Sequence, residues 1–562
     1  MKILACAAAI VLGVTLPATG DPLTFWSDLP DDELAEALLR EMTPEERVAQ
    51  LFLVGWPAEG PSEELVQWIE RRNIGGVKVF GWNGNNLSQL TSEISRLQRS
   101  AEGTNHSIPL FVATDQEGGW VRHIKGSTSL TAGNIALGAS RRPEDSFLTG
   151  RLIGEELRRL GINMNFAPTV DVYRNPEAHV IGPRAFSSDP WQTAILATAY
   201  YRGLESQRVI ATAKHFPGHG NAEGDSHGML PVLSETFDEL WERDLVPYRV
   251  LFREGMPAVL TGHLSFPSVT GDRRPASISP VLTEELLRER LDFDGLVITD
   301  DLYMGGALEY GARHGMDFAD VTLAAVEAGN DIIMLSQTPS LHGSIFTTVL
   351  NAYQGRPDFR RRVDASVRRI LSAKLSYLKP PDRVERYPRY PSSRETAEDN
   401  PGFVLDQASR SVTLLRNGGL PLRAEDGNIL LAGNDWDFIR EGRRFFPDAD
   451  TLFVDQSHFY QADGEQTQRL VLRAAGYDTV VFCLSSPATL QMARRLEFLG
   501  NRVVVVSSLT PVYLRELPWV DTALAVYGWG PESFRAGFAV LAGEIGAHGS
   551  LPLGPEFVDT VP

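Results

Sequence analysis

Eight short apolar segments, most of them followed by an amphipathic stretch, occupy about 330 residues of this chain and limit the folds open to it. Each has the length and composition of a buried strand. Strands that alternate with helices predict a parallel sheet, which is either closed into a barrel or open and doubly wound. The segments are residues 51–54, 76–80, 110–114, 162–166, 209–213, 258–261, 295–299 and 332–335.

Polar residues directly follow several of these segments. They are Asp115, Asp171, His215, His263 and Asp300. A closed barrel gathers the carboxyl ends of all its strands on one face, whereas an open sheet concentrates its site at a single switch point. We therefore predict an α/β fold built on a TIM-type (β/α)8 barrel.

A second, smaller α/β pattern follows the barrel. Residues after Leu378 are charged and rich in proline, as linkers are. We predict a barrel domain over residues 21–378, a linker over 379–400 and a smaller sheet domain over 401–562. The strand candidates of that domain are residues 412–415, 428–431, 479–484, 503–506 and 522–526.

The first 20 residues have the pattern of a secretory signal peptide. Lys2 precedes an apolar run over residues 3–16, and small residues lead to an expected cleavage near Gly20. A buried N-terminal helix is the alternative, which the abrupt change to acidic residues disfavours. Removal of Cys6 would leave Cys483 alone, without a disulfide partner. We expect an exported bacterial protein, periplasmic or extracellular.

The overall charge and the absence of several motifs limit the partners. A net charge of −19 argues against nucleic acid or an anionic membrane surface. No apolar stretch after the signal is long enough to span a bilayer, so no stable membrane insertion is expected. The sequence has no phosphate-binding loop and no well-placed dinucleotide fingerprint, and we expect no cofactor. No pattern indicates the oligomeric state.

Titratable residues cluster between Lys214 and His227, just after the fifth strand candidate. Asp225 stands two residues before His227 on a glycine-containing loop, where a carboxylate could orient the ring and raise its basicity. His215, His219, Asp225 and His227 could also be arranged as a zinc site. The Pro217-Gly218 turn disfavours that reading, because it breaks any helix that would align the first two histidines, and we predict no metal.

Two aspartates stand at ends of predicted strands. Asp300 follows the strand candidate 295–299, where it could act as a nucleophile, stabilise charge or cap the next helix. Asp115 has the same placement and precedes Gly118 and Gly119, which allow close backbone approach to a ligand. Asp301 is the neighbour of Asp300; the position directly after Thr299 favours Asp300 as the nucleophile, and exchanged roles are the alternative.

Together these motifs resemble a known family. The segment Lys214 to Gly220 with Asp225-Ser226-His227 closely resembles the signature of the β-N-acetylglucosaminidase branch of glycoside hydrolase family 3. Three other pieces occur in the matching order: residues 115–119, 180–186 and 298–304. The resemblance covers residues 30 to 380, and the C-terminal part looks like the family's α/β sandwich domain in residues 527–533 and 541–552.

The resemblance implies a retaining exo-β-N-acetylglucosaminidase that acts on peptidoglycan fragments or chitin-type oligosaccharides. Asp300 would be the nucleophile, and His227 paired with Asp225 would be the acid/base. The positions that match sugar-binding residues of the family are Asp115, Arg184, Lys214 and His215.

This chain departs from the family where arginines usually follow the double glycine. It has Trp120 and His123 there, with Arg122 between them, so one sugar contact would be lost, moved to Arg122 or made by His123. One alternative is a phosphorylase on the same site. Another is a family 3 β-glucosidase, which the His–Asp pair disfavours because that pair marks the amino-sugar branch of the family. A non-catalytic sugar-binding protein is disfavoured by the intact Asp225, His227 and Asp300.

Overall fold

The computed structural model describes residues 22–58, 60–390, 400–423, 427–455 and 458–559. The predicted signal peptide, residues 1–20, lies outside the described residues, as do residues 391–399 of the predicted linker. In the part of the chain that is described, no helix has the length and apolar character to cross a membrane.

Eight parallel strands form the first domain. Each pairs with its neighbours along the chain, and the eighth strand, β8 (Ile333–Leu335), returns to pair with the first, β1 (Phe52–Gly55). A parallel bridge between Ile298 and Ile332 joins β7 to β8 and closes the sheet. The predicted barrel is therefore confirmed, and the open doubly wound alternative is wrong. The strands are β1 Phe52–Gly55, β2 Gly76–Lys78, β3 Phe111–Thr114, β4 Met164–Asn165, β5 Ile210–Phe216, β6 Ala258–Thr261, β7 Leu296–Thr299 and β8 Ile333–Leu335.

Helices surround this barrel. The first two helices are separated at Thr43, whose hydroxyl accepts from the Glu46 backbone N–H while the Glu46 carboxylate accepts from the Thr43 N–H. This capping box fixes the start of the second helix. The α-helices are Asp31–Glu41, Pro44–Gln50, Glu63–Arg72, Leu87–Glu102, Asn134–Ser140, Pro143–Arg159, Pro190–Glu205, Phe237–Glu239, Val246–Arg253, Pro267–Thr270, Gly305–Arg313, Phe318–Ala328, Ser344–Gly355 and Pro357–Leu378, with π-helical turns at Leu240–Asp244 and Val281–Arg290.

A six-stranded mixed sheet forms the second domain. Its strands are numbered in chain order from β9 to β14. They lie side by side in the order β9-β14-β13-β12-β10-β11, and β9 alone runs antiparallel to its neighbour. Alternate residues of β12 belong to two separate cores, Val480 and Phe482 to one and Val481 and Cys483 to the other. Both faces of the sheet are thus covered, which confirms the predicted α/β sandwich. The strands are β9 Thr413–Arg416, β10 Ile429–Gly433, β11 Asp450–Phe453, β12 Thr479–Leu484, β13 Arg502–Ser507 and β14 Thr522–Ala525, and the α-helices are Asn400–Ser411, Trp436–Phe445, Gly464–Ala474, Pro487–Ala493 and Pro531–Leu541.

The sandwich packs onto segments that lie between barrel strands. One of its two cores includes Ile135, Tyr173 and Ile181 of the first domain. Polar contacts add to this interface, because Arg410 donates to Asp145 at 2.7 and 3.0 Å. The second domain therefore lies beside the loops that follow β3 and β4.

Candidate active site

The carboxyl ends of the strands place a set of charged side chains on one face of the barrel. Lys78 ends β2, Asp115 follows β3, Lys214 and His215 lie near the end of β5, and Asp300 follows β7. Strand ends of this kind converge because the strands are parallel and the sheet is closed.

Lys214 joins two carboxylates at the bottom of this face. Its Nζ lies 2.6 Å from Oδ1 of Asp115 and 2.6 Å from Oε1 of Glu117. Lys78 donates to the second oxygen of Asp115. Burial alone would raise the pKa of Asp115, but Lys214 and Lys78 outweigh it and hold that pKa well below its usual value. The network thus keeps Asp115 ionised as a fixed hydrogen-bond acceptor.

Arg184 extends the network on the other side of Glu117. Its Nη2 and Nε donate to the two oxygens of Glu117 at 2.8 and 3.0 Å, a bidentate pair. Burial would raise the pKa of Glu117, yet Arg184 and Lys214 lower it to about 2. Glu117 therefore orients both cations.

His215 is fixed in one tautomer by its neighbours. Its Nδ1–H donates to Oδ2 of Asp171 at 2.7 Å, and its Nε2 lies 3.1 Å from Nη2 of Arg184, which can only donate. Both ring nitrogens of His215 are therefore engaged, which leaves neither for a metal ion. Among the described residues no group of three or more His, Cys, Asp or Glu side chains is arranged to hold one.

His227 and Asp225 form a pair on the loop after β5. Nδ1 of His227 lies 2.7 Å from Oδ1 of Asp225, which also accepts from the His227 backbone N–H at 2.9 Å. The hydrogen bond to Asp225 raises the pKa of His227 despite partial burial. The ring is 65% exposed, and its Nε2 makes no hydrogen bond to a described residue. That nitrogen is free to exchange a proton with a ligand.

The loop that carries this pair is held against the segment after β7. The backbone N–H of Gly305 donates to the carbonyl of His227 at 2.8 Å, and Gly306 donates to the carbonyl of Ser226 at 3.0 Å. His219 supports the loop from below, since its Nε2 lies 3.3 Å from Oγ of Ser226. Burial lowers the pKa of His219 to about 4, so this ring is neutral.

Asp300 and Asp301 have different surroundings. Burial would raise the pKa of Asp300, but His263, His215 and His227 together lower it, so its carboxylate is ionised at neutral pH. Oδ1 of Asp301 accepts from the backbone N–H groups of Tyr303 and Ser336 at 3.1 and 2.9 Å. Asp301 thus fixes the backbone of the segments after β7 and β8, whereas the Asp300 carboxylate lies within the electrostatic reach of the three imidazoles.

The three residues that depart from the family pattern after the double glycine have different surroundings. Arg122 donates to Oγ1 and the carbonyl of Thr128 and is engaged there. Nδ1 of His123 lies 3.6 Å from Oδ2 of Asp115, and burial lowers the pKa of this ring to about 4. A neutral imidazole therefore lies next to Asp115. Trp120 points to the second domain, where it stacks on Phe459.

All residues predicted for the site lie on this face of the barrel. Two of them, Asp225 and His227, belong to the loop after β5 and not to a strand end. The structure adds residues that sequence reasoning did not select. Glu117 lies inside a motif that was noted, and Lys78 is a lone charge in an apolar strand candidate, which is a usable signal because unpaired buried lysines are rare. The added residues are Lys78 and Glu117. The sequence had indicated Asp171 and His263 only as polar residues after strand candidates and His123 as a possible sugar contact, and the structure now shows their partners.

Loss of the central lysine should destabilise the barrel. We expect Lys214→Met to lower the free energy of unfolding by about 3–5 kcal/mol, because Asp115 and Glu117 would be left buried without their shared cation. Urea denaturation followed by circular dichroism measures this. Lys379→Met is the matched control, since Lys379 pairs with the exposed Asp31, and it should cost less than about 1 kcal/mol. Equal losses in the two variants would contradict the assigned role of Lys214.

A closed β/α barrel that gathers carboxylates, imidazoles and cations at its strand ends has the architecture of a TIM-barrel enzyme. Residues 43–373, more than half of the chain, match the family model described as "Glycosyl hydrolase family 3 N terminal domain". The chain belongs to glycosyl hydrolase family 3.

Named relatives agree with this membership. The chain is 35% identical over 288 residues to "Beta-hexosaminidase A" of Pseudoalteromonas piscicida, a match that covers 48% of this chain and about half, 47%, of that protein. It is 37% identical over 290 residues to "Beta-hexosaminidase" of Neisseria gonorrhoeae, covering 50% of this chain and 76% of the relative. A solved family 3 β-N-acetylglucosaminidase from Paenibacillus sp. str. FPU-7 superposes with a TM-score of 0.83 at 29% identity, covering 93% of this chain and 100% of that one.

Proposed function

We propose that this protein is a retaining exo-β-N-acetylglucosaminidase that hydrolyses terminal N-acetyl-β-glucosaminides through a covalent glycosyl-enzyme. The observation that carries the proposal is the paired His227 and Asp225 on a loop hydrogen-bonded to the segment after Asp300. The relatives named β-hexosaminidase and β-N-acetylglucosaminidase support the choice of an amino sugar.

Asp300 and His227 divide the first step between them. The ionised carboxylate of Asp300 attacks the anomeric carbon, and the bond from that carbon to the leaving oxygen breaks. The proton on Nε2 of His227 passes to the leaving oxygen. Its raised pKa favours the protonated ring that this step needs.

The second step reverses the proton transfer. Nε2 of the now neutral His227 takes a proton from water, and the water oxygen attacks the anomeric carbon. The bond from that carbon to Asp300 breaks, which restores the carboxylate. Two inversions at one carbon give net retention of the β configuration.

The ionic network would hold the terminal sugar. Asp115 is an ionised acceptor, Arg184 and Lys214 are donors, and His215 is locked by Asp171. Hydroxyl groups match such a mixture of fixed donors and acceptors. We propose peptidoglycan fragments or chitooligosaccharides as the natural substrates.

A panel of aryl glycosides tests the proposal. We expect hydrolysis of the N-acetyl-β-glucosaminide in preference to the N-acetyl-β-galactosaminide and the β-glucoside, with free sugar as the product with or without phosphate. Sugar 1-phosphate as the main product would establish a phosphorylase instead. That second function is favoured by the histidine acid/base, which does not repel an incoming phosphate as a carboxylate would. Preference for the glucoside would establish a β-glucosidase.

A further inference from the structure

Three aromatic side chains from the two domains contact one another next to the candidate site; Trp120 and Tyr460 are exposed and Phe459 is partly buried. Trp120 lies in the turn between the short strands Gln116–Gly118 and Val121–Arg122, and its ring is 39% exposed. It stacks on Phe459 of the second domain, with ring centroids 5.7 Å apart and planes 16° from parallel. Phe459 in turn contacts Tyr460 edge to face at 5.1 Å. The three rings form one aromatic surface.

This aromatic surface connects the pocket to the acid/base loop. Trp120 follows Asp115, whose carboxylate lies in the ionic network, by only five positions. At the other end, burial raises the pKa of Tyr460 and the charge of Asp225 adds to that rise, so the tyrosine lies within electrostatic reach of the dyad. The surface therefore extends from the pocket wall toward His227.

The proposed reaction decides which part of the substrate meets this surface. An acid that protonates the leaving oxygen must lie on the side of the pocket from which the leaving group extends. That side carries Asp225 and His227, and Tyr460 flanks it. The leaving group, and not the terminal sugar, is directed to the aromatic surface.

We propose that Trp120, Phe459 and Tyr460 form a leaving-group subsite that binds the pyranose ring next to the scissile bond. A pyranose has an apolar C–H face that suits an aromatic ring and a polar edge that suits the Tyr460 hydroxyl. The subsite requires the second domain, because two of its three rings belong to it. This inference rests on the proposed function and assigns the substrate class as oligosaccharides with a sugar leaving group.

Two substrates with the same terminal sugar test the subsite. N,N′-diacetylchitobiose has a sugar leaving group, and N-acetyl-β-glucosaminyl azide has a leaving group without a ring. We expect Trp120→Ala and Phe459→Ala each to lower kcat/KM for the disaccharide by about tenfold, which corresponds to about 1.4 kcal/mol. The same variants should change kcat/KM for the azide less than about twofold, and Trp120→Phe should keep most of the activity on the disaccharide.

A second stacked pair supplies the matched control. Trp436 is 62% exposed and stacks on Phe453 at 4.2 Å, and Trp436→Ala should leave both substrates unaffected. Equal losses on both substrates in the Trp120 and Phe459 variants, or no loss on either, would overturn the subsite. Failure of the unaltered protein to hydrolyse the disaccharide while it hydrolyses the azide would overturn it too. Failure to hydrolyse either substrate would instead overturn the proposed function.

Discussion

Asp300→Ala is expected to lower kcat for an aryl N-acetyl-β-glucosaminide by about 10⁴-fold or more, with the fold unchanged. Loss of a covalent nucleophile removes the first chemical step and not merely a contact, so the effect is of the size seen when nucleophiles are deleted elsewhere. The side chain is ionised and lies within the reach of three imidazoles, and its removal leaves a small pocket at the strand end. Steady-state kinetics together with a thermal melt separate this loss from unfolding.

The neighbouring aspartate provides the control for this result. Asp301→Asn keeps an oxygen that accepts from the backbone N–H groups of Tyr303 and Ser336, so we expect activity within about tenfold of the unaltered protein. Added azide should restore turnover to Asp300→Ala and give the α-glycosyl azide, because a small anion would attack from the face that the carboxylate leaves empty. Near-normal activity in Asp300→Ala, or a collapse in Asp301→Asn alone, would reverse the assignment.

Local patterns were sufficient to predict the barrel, because each strand lies in a short apolar run and polar residues follow several of these runs. They failed at β11, whose residues Asp450–Phe453 are partly exposed and lie at the edge of the second sheet. An edge strand with one covered face lacks the continuous apolar run that marks a buried parallel strand. Phe459 and Tyr460 follow this strand. Because the strand was not predicted, neither was the position of these rings, and the contact between Phe459 and Trp120 was missed as well.

Within the site, the sequence motifs identified the residues but not their partners. Glu117 is one such case, because its role depends on Lys214 and Arg184, which are 97 and 67 positions away. Asp171 fixes the tautomer of His215 across 44 positions. Pairings over such distances are set by closure of the barrel, and spacing along the chain does not encode them.

His227→Ala should have an effect that depends on the leaving group. We expect kcat/KM to fall by about 10²–10⁴-fold for an alkyl N-acetyl-β-glucosaminide, whose leaving oxygen needs a proton, and by much less for a dinitrophenyl glycoside, whose leaving group departs as the anion. Nε2 of His227 has no hydrogen-bond partner among the residues that the structure describes, which is the condition for transfer to a ligand. Equal losses on both substrates would indicate a structural role for the ring.

The pH dependence tests the same residue through its partner. Since Asp225 raises the pKa of His227, the protonated acid persists to higher pH and is lost as pH rises through that raised value. Asp225→Asn keeps an acceptor oxygen but removes the charge, so the pKa of His227 should fall. The alkaline limb of kcat/KM for the alkyl glycoside should then move to lower pH, while the dinitrophenyl glycoside keeps its profile on that side. An alkaline limb that stays in place in Asp225→Asn would show that a group other than His227 supplies the proton, even if His227→Ala is inactive.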